Sequence, residues 1–138
     1  MNRTELIILV LIVLGIIITV IIYFRSSDEE QDEKRLSLLY KFENIKFINA
    51  QLIQDLTNYA EKNNAFDERF MQDLSFKDGI AGLVKAKKDF FTSRNFTELQ
   101  SKRLSRRRIE YFTRNTEEQV NFHTKVQAVF NDHHKSLA

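Results

Sequence analysis

The sequence has 138 residues and contains no cysteine, no proline and no tryptophan, with only three glycines. Without cysteine there is no disulfide framework, no thiolate metal site and no lipid-modified cysteine near the N-terminus. Without proline and with so little glycine, β-hairpin architectures lack their turn residues, and long helices are expected instead. Histidine is scarce too: His123, His133 and His134 are the full set of three. His133 and His134 are adjacent, so on a helix they point about 100° apart and do not share a ligand sphere. His123 falls on an apolar stripe, where a satisfied, partly buried imidazole is expected. No glycine-rich phosphate loop and no nucleophile elbow is present. Glu117 and Glu118 are neighbours on a solvated helix face, which is not the geometry of an acid–base pair. The expectation is therefore no enzyme, no cofactor, no metal site and no small-molecule substrate.

What the sequence does contain is one long apolar run. Residues 6–24, "LIILVLIVLGIIITVIIYF", are 19 residues without a charge. As a helix they cover about 28 Å, close to the roughly 30 Å of a bilayer's hydrocarbon core. The run is too long for the apolar region of a cleaved signal peptide, and it ends in Tyr23-Phe24-Arg25 without a small-residue cleavage site. Residues 1–25 are thus expected to be a retained transmembrane anchor, contacting the lipid bilayer through residues 6–24. "SSDEEQDEKR" (26–35) reads as a polar hinge in which nothing breaks a helix, and residues 36–138 read as one helical-bundle domain. Arg25, Lys34, Arg35 and Lys41 follow the run while Arg3 alone precedes it. The positive-inside rule then favours a cytoplasmic C-terminal domain.

Within 36–63, Leu38, Phe42, Ile45, Asn49, Leu52, Leu56 and Tyr59 recur in steps of three and four, which predicts an amphipathic helix. "EKNNAFDE" (61–68) reads as a turn. Phe66, Phe70, Met71 and Leu74 fit a short second helix, Ser75 is a cap for a third piece, and "TSRN" (92–95) reads as a loop. A final helix is expected from about 97 to 132, with Thr97 as its cap and Ile109, Phe112, Thr116, Val120, His123, Val126 and Phe130 on its apolar side. His133, His134 and Lys135 follow near its C-terminus, where cations complement the helix dipole. The fold class expected is all-α: an N-terminal transmembrane helix followed by an elongated antiparallel helical bundle.

Charge is unevenly placed. Residues 1–76 hold 8 cations and 12 acids, and residues 77–138 hold 13 and 7. The densest cluster is Lys102, Arg103, Arg106, Arg107 and Arg108. On one helix Lys102 pairs with Arg106 and Arg103 with Arg107 at i, i+4, forming a single patch. Nucleic acid is a poor client, because no aromatic platform or recognition motif accompanies the patch. Lipid headgroups are the better chemical match. A last helix antiparallel to the first would, however, carry residue 108 roughly 35 Å from the bilayer, near Asp55 and Glu61. On that arrangement the patch is a solvated face or a dock for an acidic protein partner.

The segment "INAQLIQDLTNYAEK" (48–62) resembles the first-helix segment of the LemA family. Ile48, Leu52, Ile53 and Leu56 stand on its apolar positions and Tyr59-Ala60 on its Tyr-Ala. "RNFTELQ" (94–100) is similar to a second family stretch. "RIEYFTRNTEEQVNFHTKVQAVF" (108–130) is similar to the family's terminal helix, with Arg108-Ile109, Val120, Phe122 and Phe130 in register. Departures from the pattern are Ala50 in place of a helix-opening proline, Asn131 in place of a final proline, absent Tyr-Asn pairs and a shorter region between 63 and 94. The resemblance implies a membrane-anchored bundle of elongated antiparallel helices, in a bacterial inner membrane, without enzyme activity or cofactor. The functional expectation is a scaffold or adaptor with a protein partner or self-association. An extracytoplasmic sensor and a phage-type envelope-spanning protein remain open as alternatives.

Overall fold

A computed structural model of the chain describes the backbone of residues 2–136 and the side chains of residues 2–132. His133, His134 and Lys135 therefore lie outside the described side chains. The chain is all-α apart from one minimal hairpin: α1 (Arg3–Asn63), β1 (Arg69–Met71), β2 (Leu74–Ser75), α2 (Phe76–Asp89), α3 (Ser93–Gln100) and α4 (Arg106–Ser136). It divides into two units, Met1–Lys34 and Arg35–Ala138.

The first unit is helical from Arg3 onward, and the stretch 26–35, expected as a hinge, is helical as well. That follows from its composition, since neither proline nor glycine interrupts it. Every large apolar side chain from Leu6 to Phe24 is exposed. Among the described residues α1 is the one helix long and apolar enough to cross a membrane. Thr19 returns its hydroxyl hydrogen to the Gly15 carbonyl at 2.8 Å, so its polar atom is satisfied within the helix.

In the second unit α1 buries Leu38, Phe42, Ile45, Asn49, Leu52, Leu56 and Ala60. This is the three–four stripe with Ala60 taking the place of the half-buried Tyr59. The helix ends at Asn64, whose φ of 50° is left-handed. There Ala65 N–H donates to the Ala60 carbonyl at 2.9 Å, closing the last turn as such caps do.

Residues 69–75 correct the expected second helix: they form β1 and β2, paired antiparallel around Gln72 (φ 51°). The hairpin closes through Phe76 N–H to the Glu68 carbonyl and Lys77 N–H to the Phe66 carbonyl, both 3.0 Å. Phe70 stacks toward Phe76, with ring centroids 4.8 Å apart. A Cβ on Gly79 would come within 3.2 Å of the Phe70 ring. Gly79 costs α2 some helix propensity, and in exchange the hairpin lies directly on that helix.

Ser75 caps α2 as expected, its hydroxyl accepting from Asp78 N–H at 3.2 Å. The 92–95 stretch is the start of α3 rather than a loop, because Thr92 accepts from Asn95 N–H at 3.1 Å and opens the helix. Asn95 also donates to the Phe90 carbonyl at 2.7 Å, securing the short turn between α2 and α3.

The largest departure concerns the last helix. It is two helices, α3 and α4, separated by residues 101–105. Moreover, α4 runs parallel to α1. Leu38, Lys41, Asn44 and Ile45 share a groove with Thr113, Thr116, Val120 and Asn121. Farther along, Asn49 meets His123 at 2.8 Å, and the Tyr59 and Phe130 ring centroids lie 6.1 Å apart. The expected antiparallel pairing of first and last helices is thus overturned. The reason is α2, whose 14 residues carry the chain back along α1 by about 21 Å, so that α4 sets out from the end where Arg35 lies.

Two apolar clusters result. One joins Leu38, Phe42 and Ile45 to Phe90, Phe91, Leu99, Ile109 and Phe112. The other joins Leu52, Leu56 and Ala60 to Phe70, Phe76, Leu83 and Val126.

Candidate functional site: the basic loop before α4

The five cations singled out in the sequence occupy three different environments. Lys102 and Arg103 lie in the turn after α3, while Arg106, Arg107 and Arg108 form the first turn of α4. The expected i, i+4 pairs, Lys102 with Arg106 and Arg103 with Arg107, do not form, because no helix connects them. Ser101 ends α3, its N–H donating to the Glu98 carbonyl at 3.0 Å. Ser105 begins α4, its hydroxyl accepting from Arg108 N–H at 3.2 Å.

The break has a packing cause. Leu99 is fully buried in α3, and Ile109 and Phe112 are buried in α4. In one continuous helix Leu99 and Phe112 would point about 140° apart, so no single helix face presents both to the core.

Arg108 is half-exposed and reaches back across the loop to α3. Its Nε and Nη2 donate to Glu98 Oε1 and Oε2 at 2.5 and 3.0 Å, a forked pair across the loop. Its guanidinium also lies 4.5 Å from the Tyr111 ring centroid and 5.1 Å from that of Phe112, within cation–π range. The hydrogen bond from Arg108 holds the Glu98 carboxyl below its ordinary range, against a smaller opposing effect of burial. The same bond raises Arg108. Arg108 is thus a clasp between α3 and α4, its charge paired with Glu98.

Lys102, Arg103, Arg106 and Arg107 are exposed. Among the described residues none of the four is in an ion pair, and the first turn of α4 holds no acid. Cations at a helix N-terminus are mildly unfavourable, since the dipole is positive there. The four charges are therefore uncompensated within their own loop.

Arg35 was read from the sequence as one of the cations of the hinge. It is buried, and its Nη1 donates to the Leu99 carbonyl at 2.8 Å. A signal for this was present, because Arg35 precedes Leu38 by three and so continues the buried stripe of α1. The bond places the basic loop, which starts two residues after Leu99, at the same end of the second unit as Arg35.

Elsewhere, a polar contact crosses the core. The Asn49 amide donates to the Leu83 carbonyl at 3.0 Å and to His123 Nε2 at 2.8 Å. The ring's Nδ1 donates to the Gln119 carbonyl at 2.7 Å. With Nε2 accepting, the imidazole is neutral, and burial pushes its pKa below the ordinary 6.5. His123 is thus a satisfied core residue that ties α1, α2 and α4 together.

The groove between α1 and α4 has a volume of about 380 Å³. Thr116 on its floor is buried, and its hydroxyl oxygen has no hydrogen-bond partner among the described residues. Leu36, Tyr40 and Phe47 leave the core altogether, being 50%, 76% and 63% exposed. These three fall within about 40° of one another around the helix and were not singled out in the sequence. Among the described residues no cluster of three or more His, Cys, Asp or Glu is placed to hold a metal ion.

No family model matches the chain, and no curated protein or solved structure matches it either.

Proposed function

We propose that the chain is a single-pass membrane protein of LemA-like type. Its C-terminal helices act as a non-enzymatic scaffold or adaptor on the cytoplasmic side of a bacterial inner membrane. In this reading residues 6–24 cross the bilayer, which supplies the apolar surroundings that 19 exposed residues otherwise lack. The second unit is then a small helical bundle held near the membrane by its chain.

The observation that carries the adaptor reading is the stripe of Leu36, Tyr40 and Phe47 on one face of α1. The core is filled without these three, and exposed apolar side chains gathered on one helix face around the exposed Glu43 favour a protein-binding surface. The test is site-specific photocrosslinking of the full-length protein in its membrane. A crosslinker replacing Tyr40 or Phe47 should give discrete adducts, while one replacing the exposed Glu118 should give none. Absence of adducts from both stripe positions sinks the adaptor.

A ligand-sensing bundle outside the cytoplasm is the second reading, favoured by the groove over Thr116. A topology reporter fused after Ala138 separates the two. A cytoplasmic signal removes the sensor, and an external one removes the cytoplasmic adaptor.

A further inference from the structure

An α4 antiparallel to α1 would place the basic cluster at the far end of the domain, away from lipid. The parallel α4 places it at the opposite end. Arg35 Nη1 is 2.8 Å from the Leu99 carbonyl, and Lys102 follows Leu99 by three residues. The basic loop therefore sits at the end of the second unit where the chain from the apolar run enters.

Chain connectivity limits how far that end lies from the apolar run. Arg25 and Arg35 are ten residues apart, a span of about 15 Å as helix and at most about 36 Å fully extended. The headgroup layer on one side of a bilayer takes up about 5–7 Å of this. The remainder on the helical spacing is comparable with the reach of a lysine or arginine plus one Debye length, about 8 Å in physiological salt.

Charge makes the match. Lys102, Arg103, Arg106 and Arg107 are exposed and in no ion pair among the described residues, whereas the fifth cation, Arg108, is neutralised by Glu98. Glu110, one turn beyond Arg106, is exposed and pairs with none of them.

We propose that Lys102, Arg103, Arg106 and Arg107 form a headgroup-binding surface for anionic phospholipid, docking the second unit onto the membrane that residues 6–24 cross. The proposal rests on the membrane anchorage put forward above. It assigns the basic loop to lipid and leaves the Leu36–Tyr40–Phe47 stripe for protein. The connecting stretch carries Asp28, Glu29, Glu30, Asp32 and Glu33, which compete for the same cations, so the test must separate capture by these acids from binding to lipid.

The chain has no native cysteine, so a single dye is attached through Ser101→Cys, with Lys62→Cys at the other end of α1 as the control. Full-length protein is reconstituted into phosphatidylcholine vesicles with and without phosphatidylglycerol, and quenching by a headgroup-attached acceptor is measured. Each cation near an anionic surface multiplies its attraction roughly fivefold. Quenching of the dye at position 101 should therefore rise by about twofold or more with phosphatidylglycerol, and fall back in high salt. It should fall back equally when Lys102, Arg103, Arg106 and Arg107 are all changed to Glu, with helicity unchanged by circular dichroism. The dye at position 62 should not respond.

Quenching at position 101 indifferent to phosphatidylglycerol overturns the proposal while leaving the anchorage intact, and is the result expected if the acids at 28–33 hold the loop. A response to added polyglutamate but not to phosphatidylglycerol also overturns it, in favour of an acidic protein. Protein that fails to float with vesicles after an alkaline wash removes the anchorage itself.

Discussion

Helix α1 contains two kinds of hydrophobic sequence, and the contrast explains most of the molecule. From Leu6 to Phe24 apolar residues occupy every face of the helix, and all the large ones are exposed. From Leu38 to Ala60 most of them fall on one stripe that the rest of the chain buries, and Tyr40 and Phe47 stand exposed on the opposite face. Leucine and isoleucine serve both stretches, so residue type does not separate them. Periodicity does: the stretch that is apolar all round leaves its side chains exposed, whereas the one-sided stretch is covered by α2, α3 and α4.

The sharpest way to break the buried half is Phe42→Ala. Phe42 has no exposed surface and packs against Phe90, Phe91 and Phe96. Its truncation is expected to cost about 3–5 kcal/mol, read as a large drop in the melting temperature followed at 222 nm. An unchanged melt would mean the first cluster is not a packed core.

The corresponding change in the exposed half is Ile16→Arg. Side-chain packing in the second unit should be untouched, while membrane insertion should lose about 2.5–3.5 kcal/mol. The measurement is the fraction of protein resisting alkaline extraction, and a normal fraction would speak against a span through Ile16.

A smaller effect is expected at the junction of the two clusters. His123 has a folded-state pKa below 6.5. Above that pH both folded and unfolded chains hold it neutral, and the stabilising effect is fully present. As pH falls below about 6.5 the unfolded state takes up the proton first, so stability declines until the folded pKa is reached. Urea unfolding from pH 7 to 5 should show this decline, and His123→Gln should flatten it. His133 and His134 are common to both proteins and cancel in the comparison. Equal slopes would remove His123 as the cause.

The smallest effect is expected from Tyr40→Ser on the exposed stripe. Its folding stability should change by less than about 0.5 kcal/mol. A large loss there would show that Tyr40 belongs to the core and not to a docking surface.

Several features of the site were visible in the sequence once phase was considered as well as period. The buried faces of α1 and α4 follow from the three–four spacing of Leu38 to Leu56 and of Ile109 to Val126. The break at 101–105 was also encoded, as a shift of hydrophobic phase between Leu99 and Phe112 bracketed by the capping residues Ser101 and Ser105. The eye is misled because no proline or glycine marks it. The hairpin was less legible: Phe66, Phe70 and Leu74 match helical spacing. Phe66 lies in a turn and Phe70 and Leu74 are extended instead, with Phe70 seated over Gly79 of a helix later in the chain.

Helical character, one stretch apolar on all sides, and the covered face of each long helix all follow from the order of residues alone. These are local properties, set by backbone propensity and by the 3.6-residue period. The direction of α4 relative to α1 emerges from packing, because an amphipathic stripe carries no polarity and packs equally well either way up. The length of α2, the hairpin before it and the Arg35 bond to Leu99 choose the parallel course. That choice moves four unpaired cations from the far end of the domain to the end that joins the apolar run.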